Sequence, residues 1–208
     1  MSAQGSLVLA QHAAQTESRK TSVPYKGDLS IFESAGRDQR LQIERVMDIL
    51  EIKPGSTVAD IGAGSGWFSV RASRRVATSG MVYAEDINPD SIRYIDARVS
   101  KEGLHNVKTI VGKFDDPMLP ANSVNAVLLL KTYHEVSNPV ALLRHLRPSL
   151  AAGAKVGIID RNGNGEDHGV GSAVVIREAA EAGYRLLQKE DFVKSDGMDY
   201  FLVFTPQE

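Results

Sequence analysis

The chain has 208 residues, 42% of them hydrophobic and 24% charged, a net charge of −2 and no cysteine. That length and composition suit one globular domain with a short extension. The charge offers no basic footprint for phosphates, and the missing cysteines exclude disulfides, thiolate metal sites and thiol nucleophiles.

Residues 1–28 are polar and without sustained period, which predicts a flexible arm. Within it Leu7–Ala10, followed by Ala13-Ala14, is faintly similar to the tail of a trimmed secretory signal, but a charged start and a full apolar core are missing. A cytoplasmic location is the expectation that follows. No apolar run approaches the roughly 20 residues that a membrane span needs. Residues 29–52 read as a helical cap, with Ile43, Val46, Met47 and Leu50 at helical spacing over 36–51. Lys53-Pro54-Gly55 ends it.

From residue 53 to 208 strands and helices alternate. Strands are predicted at 57–61, 81–87, 106–111, 124–131 and 154–160. Helices are predicted at 65–76, from Pro89 with Ile92, Ile95 and Val99 on one face, at 139–150 with Gly153 as its C-cap, and at 170–182. Two last strands, 184–192 and 199–205, have only a Gly-containing turn between them and should pair antiparallel. The pattern predicts an α/β fold: a doubly wound, Rossmann-like, seven-stranded, mostly parallel sheet with one antiparallel strand and helices on both faces.

Chemistry concentrates where the first strand turns into a helix, at Val58-Ala59-Asp60-Ile61-Gly62-Ala63-Gly64-Ser65-Gly66. Glycines there let the backbone approach a ligand and take φ > 0. In a doubly wound sheet the ligand crevice lies at the carboxyl ends of the strands. The dinucleotide fingerprint needs a third glycine where Trp67 stands. Asp60, two residues before the first glycine, disfavours a pyrophosphate and suits the ammonium and sulfonium of S-adenosyl-L-methionine (SAM). Asp86 follows Gly66 by 20 residues, at the end of the second strand, where an acid accepts from both ribose hydroxyls. Glu85 should alternate to the other side of the strand.

These motifs resemble those of the class I SAM-dependent methyltransferases, over the core from about Val58 to Phe204. The resemblance implies Asp60, Gly62, Gly64, Gly66, Asp86 and Ile87 at the cofactor. The loop Gly112-Lys113-Phe114-Asp115-Asp116 resembles the family's adenine loop but has Lys113 and Phe114 where Asp and Ala are usual, so adenine contacts pass to Phe114 and Asp115. Leu119–Val127 resembles the L-P-x-x-S-F-D-x-V stretch, with Asn125 in place of Asp. Lys131, at the end of the fourth strand, is placed with the cofactor.

The loop Lys131-Thr132-Tyr133-His134-Glu135 stands, in that family, between cofactor and acceptor. His134 and Glu135 are the candidate catalytic groups, as general base or as acceptor ligands; Tyr133 and His134 also suit packing beside the methionine arm. The loop from Asp160 to Gly169 is polar and glycine-rich, which suits acceptor recognition or a lid. Tyr133, Asp160, Arg161, Asp167 and His168 are the acceptor candidates. A metal set of Asp160, Asp167 and His168 is the lesser reading, and no metal is expected. Phe32, Arg37 and Arg40 should close over the site, and Trp67 either packs over it or joins the core.

The expected activity is methyl transfer to a small-molecule acceptor. Protein or RNA methylation is the alternative, with a nicotinamide-dependent oxidoreductase or a silent SAM binder behind it. The acceptor atom and the oligomeric state are not legible in the sequence.

Overall fold

The computed structural model describes residues 19–193 and 198–207. Seven strands form one sheet: β1 (Thr57–Ile61), β2 (Met81–Asp86), β3 (Val107–Val111), β4 (Val124–Leu130), β5 (Leu150–Arg161), β6 (Tyr184–Glu190) and β7 (Asp199–Pro206). Their order across the sheet is β3-β2-β1-β4-β5-β7-β6. All neighbours pair parallel except β7, which runs antiparallel to both β5 and β6. The order reverses between β1 and β4, and that switch point is where a crevice opens in such sheets.

Alternation along β4 explains the two-sided burial. Val127 and Leu129 pack on one face with α5 (Pro139–Leu146) and α6 (Ser172–Glu181). Ala126, Leu128 and Leu130 pack on the other with α1 (Arg37–Leu41), α2 (Ile43–Ile49) and α3 (Trp67–Val76). A third cluster seats Ile95 and Val99 of α4 (Pro89–Lys101) on Ala84. α4 starts where the sequence dictates: Pro89 needs no N–H at the first turn, and Asn88 accepts from Asp90 N.

Besides shifts of a few residues at strand and helix ends, four features differ from the sequence expectation. The helix expected over 36–51 breaks at Gln42, in the left-handed region at φ 46°, and becomes α1 and α2. α3 starts at Trp67, not at residue 65, because Gly66 at φ 71° is its cap. α5 ends at Leu146, since Pro148 has no N–H to continue it, and a 3-10 turn spans Arg147–Ser149. Gly153 therefore caps no helix. It lies in β5 at φ 76°, where the chain loops out between the Val124–Leu150 and Ala126–Lys155 pairs.

Residues 1–18, including the signal-like stretch, lie outside the described residues, as do 208 and 194–197, on which the expected Gly-containing turn falls in part. Residues 19–25, expected to end a free arm, instead form a strap across the C-terminal edge of β4. Arg19 Nη2 donates to the carbonyls of Tyr133 and Val136 at 2.9 and 2.8 Å. Ser22 is buried. None of the helices among the described residues is long and apolar enough to cross a membrane.

Candidate active site

A cavity of about 680 Å³ opens at the carboxyl ends of β1, β2 and β4, within the range of small-molecule sites. Its floor is the turn Asp60–Ser65, one wall is Glu85–Ser91, and the opposite wall is Leu130–Thr132 with Glu135–Ser137. Lys113 and Phe114 line a further edge, and Pro24, Tyr25, Phe32 and Arg37 roof it.

Gly62 and Gly64 both have positive φ, 68° and 56°. The two tolerate a side chain differently. A Cβ on Gly62 would meet Thr132 Cγ2 at 2.2 Å, whereas one on Gly64 would meet only the Phe32 ring, at 3.8 Å, on the cavity wall. Gly66 does not line the cavity. It caps α3, and Ile95 lies 3.1 Å from where its Cβ would be.

Three acids gather around this turn. Asp86 is held rigidly: Oδ2 accepts from Gly64 N and Oδ1 from Asn88 N, both at 2.8 Å. Burial raises its pKa above the ordinary carboxylate value. Asp60 accepts from Ser69 Oγ at 2.6 Å, and burial pushes its pKa up to about 6. Glu85, expected to point away, also lines the cavity. Its Oε2 accepts from Gly62 N at 3.3 Å, and burial plus the neighbouring Asp86 push it up to about 8. At the carboxyl end of β2 a long side chain reaches around the strand edge, so alternation no longer separates the two acids.

Arg37 faces this acidic floor. Its guanidinium stacks 4.4 Å from the Trp67 ring centroid and donates to the Phe32 carbonyl at 2.7 Å. Burial lowers its pKa to about 10. Arg40 does not reach the cavity and bonds Ala35 O and Ser34 Oγ. Glu33 ties the cap to the core by accepting from Ser65 Oγ and Arg98.

These residues fit SAM. The buried acids suit a cofactor bearing an ammonium and a sulfonium. The Gly64 position is a cradle that a side chain would fill. Ile87, Phe114 and Lys131, the further cofactor candidates, line the cavity, with the Lys131 ammonium paired to Asp199. Asp115 does not line it; its carbonyl accepts from His145 Nδ1 at 2.6 Å. Lys113 takes its place on the wall.

The acceptor candidates need more correction. Tyr133 is fully buried and its hydroxyl donates to Glu178 at 2.9 Å, so it is structural. Asp160 is also fully buried. Its oxygens take His134 N, His134 Nδ1 and Arg161 N, all at 2.8–2.9 Å, which leaves nothing for an acceptor. Asp167 accepts from Asn164 N and shapes its own loop. Arg161 and His168 do not line the cavity. Nor does His134, which sits behind Glu135 with its ring almost wholly buried. Glu135 is the member of the catalytic pair that faces the cavity, and burial pushes its pKa up to about 7, against the lowering effect of His134.

Comparison with known proteins agrees with this geometry. A family model described as a methyltransferase domain matches residues 58–153. A SAM dependent methyltransferase from Aquifex aeolicus superposes with a TM-score of 0.77 at 26% identity, over 86% of this chain and 98% of that one. Nocamycin O-methyltransferase from Saccharothrix syringae is 32% identical over 83 residues, 40% of this chain and 30% of that protein. A protein-L-isoaspartate O-methyltransferase from Pyrococcus horikoshii is 26% identical over 103 residues, 50% of this chain and 45% of that protein. The chain thus spans less than half the length of these two curated relatives.

Proposed function

The chain belongs to the class I SAM-dependent methyltransferases, and from that premise we propose that it methylates a small organic acceptor. The observation that carries the proposal is the meeting of a rigid acid, Asp86, with an open glycine, Gly64, at the switch point of the sheet. When bound, SAM supplies an activated methyl group on a sulfonium whose departure needs little help.

The chain's own residues then bind and orient. Asp86 accepts from the ribose hydroxyls while its two backbone donors keep it from turning. Asp60 and Arg37 face the charged methionine end. Phe114, exposed at the rim, offers a flat apolar surface to the adenine. Positioning of this kind is worth up to about 7–11 kcal/mol in favourable cases. Removing a proton from a hydroxyl or ammonium acceptor falls to the His134–Glu135 turn, which reaches the cavity through Glu135.

A small acceptor is supported by the roof. Residues 24–25 and Phe32 cover the cavity, which leaves limited room for a macromolecule. The likeness to nocamycin O-methyltransferase points the same way. A peptide carboxyl is the second reading, on the likeness to the isoaspartate enzyme. The test is release of S-adenosylhomocysteine from SAM in the presence of fractionated metabolites or of isoaspartyl peptides. Turnover with peptides alone would replace the first reading by the second, and no turnover with either would overturn both.

A further inference from the structure

We propose that His134, Glu135 and His168 form a divalent-cation site behind the Glu135 wall of the cavity, for a borderline ion of the Zn2+ class. What the ion would do for catalysis rests on the methyl-transfer reading above; the site itself rests on geometry alone. Each of the three residues offers one ligand atom, and these atoms all lie within 4.8 Å of one another. Two imidazoles and one carboxylate are a donor set that suits Zn2+ and its neighbours.

The surroundings of His134 distinguish this cluster from a chance meeting of side chains. Its ring is buried, with 5% of the side chain exposed, and its Nδ1 lies 2.9 Å from the fully buried Asp160. Pairing with a carboxylate puts the proton on Nδ1 and leaves the lone pair of Nε2 directed away from Asp160. Metal-bound histidines are oriented by the same kind of partner. Nε2 stands 3.8 Å from Glu135 Oε1, beyond hydrogen-bond length, and makes no hydrogen bond among the described residues. The His168 ring meets the His134 ring edge-on, with centroids 5.8 Å apart.

Ser22 brings the two histidines together. Its N–H donates to the His134 carbonyl at 3.2 Å, and its Oγ accepts from the His168 N–H at 3.0 Å. The same Oγ donates to Gly165 O at 2.7 Å. The strap thus pins the glycine-rich loop against the turn after β4. The set weighed from sequence, Asp160 with Asp167 and His168, is not what converges: Asp160 is consumed by His134 and Arg161, and Asp167 by Asn164.

Three protein ligands leave a coordination position open. Of the three ligands only Glu135 lines the cavity, so water fills that position and the ion would bear on the cavity by orienting the Glu135 carboxylate.

The test needs no turnover. Chelator-treated protein is titrated with Co2+ and followed by visible absorption, with Zn2+ added afterwards to displace it. One equivalent of Co2+ should give d–d bands that Zn2+ abolishes. His168→Ala, on an exposed loop, should remove the bands, and Glu135→Gln should weaken binding. Asp160→Asn should weaken it about 10–100-fold by freeing the His134 ring. Circular dichroism melting of each variant separates lost binding from lost fold. Wild-type binding no tighter than that of His168→Ala overturns the site. Tight binding in a protein that turns over no acceptor leaves the site standing and removes the methyl-transfer reading instead.

Discussion

Asp160 grips His134 twice: Oδ1 lies 2.9 Å from the ring Nδ1, and Oδ2 accepts the backbone N–H of the same residue at 2.9 Å. One carboxylate therefore fixes both the ring and the turn that carries Glu135 into the cavity. Asp160→Ala takes the acceptor from the buried His134 N–H groups and from the half-buried Arg161 N–H. Each costs about 1–3 kcal/mol. The expected outcome is a large fall in melting temperature for Asp160→Ala and a smaller one for Asp160→Asn. Asp160→Asn should lower kcat while leaving SAM affinity unchanged. Equal melting of both variants with wild type would show that the pairing carries no stability.

Asp86→Ala should weaken SAM binding by about 1–3 kcal/mol, the scale of lost hydrogen bonds to a charged acceptor. Isothermal titration reads this directly. Wild-type affinity in the variant would remove Asp86 from the cofactor site.

Gly62 and Gly64 should separate fold from binding. Gly62→Ala drives a Cβ into Thr132 at 2.2 Å, and overpacking of this kind costs about 1–3 kcal/mol. Gly64→Ala meets only Phe32, at 3.8 Å, so its cost is the positive φ alone, about 1 kcal/mol. Its methyl enters the space assigned to the cofactor, and SAM affinity should drop at least about tenfold, or 1.4 kcal/mol. Thermal melting and titration of both variants check the contrast; a Gly64→Ala protein that binds SAM normally makes the turn purely structural.

Glu85 predicts a pH dependence. Its pKa rises from 4.5 to about 8 on folding. Between those values the unfolded chain has released the proton and the folded one keeps it, so stability falls as pH rises through this window and levels off above it. Glu85→Gln has no proton to lose. Relative to wild type it should gain stability on going from pH 4 to pH 9, by up to about 5 kcal/mol at roughly 1.4 kcal/mol per pKa unit. Denaturant melts without cofactor at both pH values test this, and parallel pH profiles for the two proteins would contradict it.

The glycine turn, the strand-end position of Asp86 and the alternation of strands with helices are legible because each depends on local spacing. The apolar run over 124–131 reads as a strand buried on both faces, and Val124–Leu130 forms one. Features that depend on tertiary contact are not. In the sequence Asp160 reads as the start of a polar loop, yet the His134 backbone turns back on it from 26 residues away. Alternation puts Glu85 on the far side of the strand, a rule that weakens where a strand ends. Pro148 was the available signal for the early end of α5. For the strap, the serine and arginine spacing in residues 19–22 carries no period, and its partners lie more than a hundred residues downstream.

The strap makes the choice of N-terminus a chemical variable. A chain shortened to begin at Leu29, the first residue of regular structure among the described residues, would keep every strand and helix named above. It would lose Arg19, whose guanidinium joins the carbonyls on either side of the His134–Glu135 turn, and Ser22, which clips the distal loop in place. Cleavable tags and trimmed starts are usually treated as neutral handling decisions. For this chain a start at Leu29 also removes Val23, Pro24 and Tyr25 from the cavity lining, and turnover screens on the two forms should differ in the acceptors they find.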